Sequence, residues 1–313
     1  LVYGILSKEI LKFFLSYLLC PYKPKMIFSL SDFKKLVNFG KWALLTSIIG
    51  YISVNLDDII VGKVLDTTAL GFYQMSFQLS NQIIKEISTI ISKISMSSFS
   101  KLQDKMMFFK KYFSVIFDLL FVILIPMLFG MILLAPYGIN LILGDNWSSM
   151  INSFRILVFG GVIRAIAIVG SSVFYSLGFP KGDYLMNRLR FIILALLILP
   201  ATKFYGIEGA AAASTIAVST TLFPLTVELN NLIDFKIKNK LSSLIVIFFS
   251  SGIMTLCIYI YIKYRFLNSI NELLILISIG IIIYFIPVFY IDKFYGLGPW
   301  SSINRILKYY RND

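Results

Sequence analysis

Apolar residues along this chain gather into long runs instead of alternating. Nine runs stand out: a weak first one ending near residue 20, then 42–61, 67–93, 112–134, 153–177, 184–202, 209–230, 241–262 and 273–291. Most have the length of a helix that crosses about 30 Å of hydrocarbon, roughly 20 residues, and are too long for strands. The pattern predicts an all-α fold, a polytopic transmembrane helix bundle of about nine spans. The gaps between the runs are short, so no separate extramembrane domain is expected. Between the first two runs, Ser31 or Asp32 is placed to cap a short amphipathic helix carrying Phe33, Leu36, Val37 and Phe39 at the membrane interface.

Composition narrows the solvent. With 58% hydrophobic and 14% charged residues and a mean hydropathy of +0.83, there are too few polar side chains to coat a soluble globule. The net charge of +13 would suggest nucleic acid in a soluble protein, but here the basic residues lie between the apolar runs. If the gaps alternate sides, twenty of the 29 basic residues fall on one side, in groups such as Lys93, Lys101, Lys105, Lys110 and Lys111; the other side holds Lys63, Lys203, Lys263 and Arg265. The rich side is the cytoplasm by the positive-inside rule, which puts the chain in the cell inner or plasma membrane with no nucleic-acid partner. With no histidine and only two distant cysteines, Cys20 and Cys257, histidine zinc sites, Ser-His or Cys-His catalysis and CxxC redox chemistry drop out, and no cofactor is expected. The chain opens inside an apolar stretch without an initiator methionine, as a fragment lacking its N-terminal part would.

Polar residues within the runs are the candidates for function. Gln74, Gln78, Asn81, Lys85, Ser88 and Ser92 recur at helical spacing and form one stripe. Such a stripe lines a cavity or holds polar helices together, and both readings stand. Arg164 sits near the middle of the run around it, at bilayer-centre depth, where a charge is costly unless it has a task. The chain has 22 lysines and 7 arginines, yet Arg155, Arg164, Arg188 and Arg190 fall in two consecutive runs. A guanidinium fork matches phosphate oxygens, so this clustering points to an anionic ligand. Arg188 and Arg190 lie near a cytoplasmic helix end, where snorkelling is the simpler account. The carboxylates Asp57, Asp58, Glu86 and Asp118 read either as ion-coupling groups or as neutralisers of these cations. The candidate binding set is therefore Arg164, Lys85, Arg155, Gln78 and Asn81. Pro126 and Pro224 are placed to kink their helices.

Six segments taken together resemble the Wzx-type polysaccharide and oligosaccharide flippases of the multidrug/oligosaccharidyl-lipid/polysaccharide exporter superfamily, which serve O-antigen and lipopolysaccharide biosynthesis. They are NFGKW at 38–42, NLDDIIVGKVLDTTALGFYQMSFQL at 55–79, SFSKLQ at 98–103, LILGDNWSSMINSFRIL at 141–157, YSLGFPKGDYLMNRLRF at 175–191 and YGIEGAAAAS at 205–214. The resemblance implies that residues 1–41 end a first lobe and connect it, that 42–230 form a second six-helix lobe, and that 231–313 add two helices and a cytoplasmic tail. It also implies export of an undecaprenyl-diphosphate-linked oligosaccharide by alternating access. The implied partners are that lipid-linked oligosaccharide, membrane lipids, and polysaccharide polymerase and chain-length machinery. The alternatives are a cation-coupled multidrug exporter of the same superfamily, which would favour acidic and aromatic cavity residues, and a polytopic polymerase or glycosyltransferase. The enzyme reading needs carboxylates in a sizeable outer loop, and 135–152 offers only Asp145.

The charge asymmetry gives a direct test of orientation. Cysteines replacing Lys105 and Asn239 are expected to be shielded from an impermeant thiol reagent in intact cells, and one replacing Asn146 to react. The reverse pattern would overturn the orientation.

Overall fold

The computed structural model describes residues 2–19, 29–235, 240–265 and 269–295, and these are helical nearly throughout, with no strand among them. Nine α-helices follow one another: α1 Val2–Leu19, α2 Leu30–Val64, α3 Thr67–Leu102, α4 Met106–Leu143, α5 Ile151–Ser176, α6 Pro180–Ser219, α7 Leu222–Ile233, α8 Leu241–Tyr264 and α9 Ile270–Tyr295. A 3-10 segment of two turns, Asp145–Met150, joins α4 to α5. The chain divides into two units, Leu1–Gly40 and Lys41–Asp313. In the first, every described α1 side chain from Leu6 to Leu19 is exposed, and no separate amphipathic helix forms because α2 already begins at Leu30.

Among the described residues, six stretches are long and apolar enough to cross a membrane: Gly40–Val64, Met106–Leu143, Asp145–Ser176, Pro180–Ile233, Leu241–Tyr264 and Ile270–Lys293. The fourth holds two of the expected spans. Gly206 breaks α6 with φ 59° and ψ −141°, a backbone open only to glycine, and the second arm returns against the first. There a Cβ on Gly209 would lie 2.0 Å from the Ala201 carbonyl oxygen, so only glycine fits. α3 is not among the six, because Gln74, Gln78, Asn81, Lys85 and Glu86 interrupt its apolar face.

Two connections differ from the hydropathy reading. Residues 94–111, expected as a loop, are helical apart from the turn at Gln103–Lys105, and form the tip of the α3–α4 hairpin. Aromatic packing holds the tip: Phe99 stacks on Phe109 at 4.6 Å and meets Tyr112 edge-on at 5.6 Å, while the Tyr112 hydroxyl donates to Ser98 Oγ at 3.0 Å. Residues 135–143, expected outside the span, continue α4.

That continuation has a specific cause. Proline lacks an N–H, so a helix passing through it leaves the carbonyl four residues earlier without its donor. α4 contains Pro126 and Pro136, which strand the carbonyls of Val122 and Ile132. Both are recovered from other helices. The Arg155 Nε of α5 donates to the Ile132 oxygen at 3.0 Å, and the buried Tyr284 hydroxyl of α9 donates to the Val122 oxygen at 3.0 Å. α4 is thereby tied to both neighbours. The Lys240 ammonium, next to α8, adds a buried ion pair to Asp118 of α4 at 2.5 Å. Around these ties Val122, Ile125, Ile247, Met254, Leu276 and Val288 form one apolar core, distinct from the larger core of α3, α4, α5 and α7.

Replacing Tyr284 by Phe keeps the ring and removes the donor. The variant is expected to unfold in detergent with a loss of about 1 kcal/mol or more, whereas the same change at exposed Tyr259 leaves stability unchanged. Equal stability of the two variants would remove the Val122 carbonyl from the account of α4.

Candidate functional site

Four helices of the second unit bring polar side chains together inside the apolar bundle. α2 supplies Asp57, 1% exposed, whose Oδ2 accepts from the fully buried Tyr73 hydroxyl of α3 at 2.8 Å. The neighbouring Asp58 accepts from Gln74 Nε2 at 3.1 Å. α5 supplies Arg164, whose guanidinium donates to Asn81 Oδ1 and lies 4.9 Å from the centre of the Phe77 ring. α6 supplies Arg190, 7% exposed, and both guanidinium groups lie within electrostatic reach of Asp57.

The orientation of Asn81 follows from donor and acceptor counting. Its Nδ2 donates to the Phe77 carbonyl at 2.8 Å and to Ser80 Oγ at 3.0 Å. A carbonyl only accepts and a guanidinium only donates, so Oδ1 must be the atom that meets Arg164. Close packing makes the contact possible: Gly161 of α5 sits where a Cβ would come within 3.2 Å of Asn81 Oδ1 and of the Ser80 carbonyl. A larger residue there would push α5 off α3.

The site holds two guanidinium groups and two carboxylates, yet among the described residues neither arginine forms an ion pair within 4.0 Å. Asp57 faces a phenol and Asp58 an amide. Arg190 Nε is buried without a hydrogen-bond partner. Buried donors are nearly always satisfied, and an unpaired one on a charged group is costly. The two forks thus retain donor capacity for an anion.

The α3 stripe divides between two surroundings. Gln74, Gln78 and Lys85 are exposed, while Asn81 and Ser88, roughly 40 to 80° round the helix from Gln78 and Lys85, are buried. The buried edge, with Ser76, Ser80 and Ser95, packs polar groups between helices. These hydroxyls donate to carbonyls of their own helix, as Ser88 does to Lys85 at 3.0 Å, and Ser76 also reaches the Met150 carbonyl at 3.2 Å, so they act as small packing residues. The exposed edge remains open.

Other candidates are engaged elsewhere. Arg155 serves the Ile132 carbonyl and Asp118 pairs with Lys240, both outside the Asp57–Arg164 group. Glu86 is exposed and accepts from Gln82 at 3.5 Å. Sequence reasoning missed Tyr73 and treated Arg190 like Arg188. A usable signal was present for the second: residues two apart on a helix point to nearly opposite sides, and Arg188 is exposed where Arg190 is buried.

Comparison with known proteins sets this geometry in context. Residues 1–152, which include Asp57, Tyr73 and Asn81 but stop before Arg164, match the family described as polysaccharide biosynthesis protein. The chain is 24% identical over 169 residues to the lipopolysaccharide biosynthesis protein WzxC of Escherichia coli K12, covering 54% of this chain and 32% of that protein. It is 22% identical over 155 residues to the teichuronic acid biosynthesis protein TuaB of Bacillus subtilis, covering 50% and 32%. With the putative O-antigen transporter of Shigella flexneri it shares 28% over 197 residues, covering 61% and 46%. The chain thus spans from 32% to 46% of the length of these relatives. With its apolar helices, the similarity identifies a multi-pass inner-membrane protein.

Asn81→Leu would keep the side-chain bulk and leave the Arg164 fork without its acceptor. Thermal unfolding is expected to show a loss of about 2 kcal/mol, the scale of a hydrogen bond to a charged group, and Asn81→Asp to be at least as stable as the parent. If the leucine variant melts with the parent, the Asn81–Arg164 bond does not organise the site.

Proposed function

Because this chain is a relative of the Wzx-type polysaccharide flippases, we propose that it forms the second half of such a transporter and moves an undecaprenyl-diphosphate-linked oligosaccharide from the cytoplasmic to the outer leaflet. The observation that carries this reading is the pair of guanidinium groups, Arg164 and Arg190, held inside the bundle with no carboxylate taking up their forks. A diphosphate offers the oxygen geometry those forks match. Exposed Lys85, one turn along α3 from Asn81, supplies a further cation on the open edge. The hydrocarbon tail has a compatible surface in an apolar cavity of about 600 Å³ bordered by Pro126, Gly130, Met254, Ile258 and Gly280.

Transport then consists of exchanging the anion's partners. With the site open to the cytoplasm, the diphosphate displaces the weaker Asn81 contact to Arg164 and gives Arg190 Nε an acceptor. Passage to the other side follows by alternating access, with Asp57 and Asp58 available to draw the arginines back when the anion leaves. No bond is made or broken, so this is a transporter and not an enzyme, and it needs no cofactor. Polymerase and chain-length machinery would receive the exported repeat unit. A cation-coupled drug exporter would favour acidic over basic groups in its cavity, whereas here Arg164 and Arg190 stand beside the buried Asp57.

Arg164→Ala and Arg164→Lys in the complete protein are each expected to insert normally and to reduce complementation of polysaccharide export to below about a tenth of the parent level, an effect of the order of a lost charge-assisted contact. Function of the lysine variant alone would mean that charge suffices without the planar fork. Normal export by a stable alanine variant would remove Arg164 from transport.

A further inference from the structure

At the lysine-rich end of α2 and α6 lies a cluster that the proposed transport site does not use. Trp42 of α2 and Tyr184 of α6 pack with ring centres 5.0 Å apart. The Lys41 ammonium lies 5.6 Å and the Lys181 ammonium 5.8 Å from the Trp42 ring centre, and the Arg188 guanidinium lies 5.8 Å from that of Tyr184. Three exposed cations thus surround two partly buried rings shared by two helices. Among the described residues no carboxylate lies within 4.0 Å of any of them. Asp183, between Lys181 and Tyr184 in sequence, is turned inward: its carboxylate accepts from Ser171 Oγ at 2.6 Å, from the Tyr175 hydroxyl at 2.9 Å and from Asn187 Nδ2 at 3.2 Å. The amino-terminal end of α6 adds its positive dipole at the same place.

Below the cations the exposed surface becomes apolar along the same faces. From Arg188, α6 continues through Ile192, Leu196 and Leu199, exposed by 45%, 66% and 51% at helical spacing, and α2 continues through Leu44 and Ile48, exposed by 59% and 48%. The surface is charged at one end, aromatic at the boundary and hydrocarbon-like beneath. A soluble anion would use only its top. A lipid with a phosphate head and acyl chains uses all of it.

We propose that Lys41, Trp42, Lys181, Tyr184 and Arg188 form a binding site for an anionic glycerophospholipid of the cytoplasmic leaflet. The headgroup phosphate sits among the three cations, the rings mark the depth of the glycerol region, and one acyl chain runs along Ile192 and Leu196. The bound lipid bridges the end of α2 to α6, the helices that carry Asp57 and Arg190. The site is independent of what the protein transports.

The complete protein, purified in detergent, would be titrated with phosphatidylglycerol, with phosphatidylcholine of the same acyl chains and with inorganic phosphate, and followed by native mass spectrometry and thermal melting. Phosphatidylglycerol is expected to bind saturably and raise the melting temperature, and the other two to do neither. Lys181→Gln combined with Arg188→Gln is expected to weaken phosphatidylglycerol about tenfold or more, with unchanged melting in its absence. Lys203→Gln, an exposed cation at the far end of the same helical arm, is expected to change nothing. Equal binding of both lipids, equal weakening by Lys203→Gln, binding of phosphate alone, or stoichiometric displacement of phosphatidylglycerol by undecaprenyl diphosphate would each overturn the proposal; the last would assign the surface to the transported lipid.

Discussion

A backbone carbonyl that loses its helical donor in hydrocarbon has no water to turn to, and α4 loses two. The rest of the second unit is arranged around that constraint. Pro136 would end α4 near the membrane boundary if Arg155 did not reach across from α5, and Pro126 would leave a gap beside Val122 if Tyr284 did not fill it from α9. Each rescue also serves as a tie between helices. Lipid tails are as apolar as leucine and give helices little reason to associate, so such hydrogen bonds and close packing must select the partners. α4 thereby joins the α3–α5–α7 core to the α8–α9 pair, and the buried Asp118–Lys240 ion pair makes a third tie.

The same accounting separates structural from available polar groups. Most serines in α3 spend their hydroxyls on their own helix, and Arg155 and Asp118 are spent on neighbours. Arg164 is held by a neutral amide, and Arg190 is held near Asp57 without pairing to it within 4.0 Å. An amide is a weaker partner for a guanidinium than a carboxylate, so Arg164 is held less tightly than an ion pair would hold it. That difference in partner strength is decided by which groups face each other across helices.

Much of the fold was legible in the chain because hydropathy over 20 residues is a local property. The order of the apolar helices among the described residues follows from it. It failed where a local pattern has a remote remedy. Residues 135–143 look like the end of a span until Arg155 supplies a donor, and residues 94–111 look like a polar loop until Phe99, Phe109 and Tyr112 meet. The reversal at 203–208 was legible as a gap between two runs, but not that its arms would close so tightly that a Cβ on Gly209 would meet Ala201.

For the candidate site, the sequence by itself determined where the charges and amides fall along each helix, since helical spacing is a local property. It determined too that Arg155, Arg164, Arg188 and Arg190 fall in two consecutive apolar runs. Only the tertiary structure decided the facing of each group: Asn81 toward Arg164, Lys85 outward, Asp57 against Tyr73, Arg190 inward and Arg188 outward. Rotation of one helix by a few tens of degrees exchanges a buried face for an exposed one without changing the residues present. That rotation is set by packing between helices distant in the chain, at contacts such as Gly161 against Asn81.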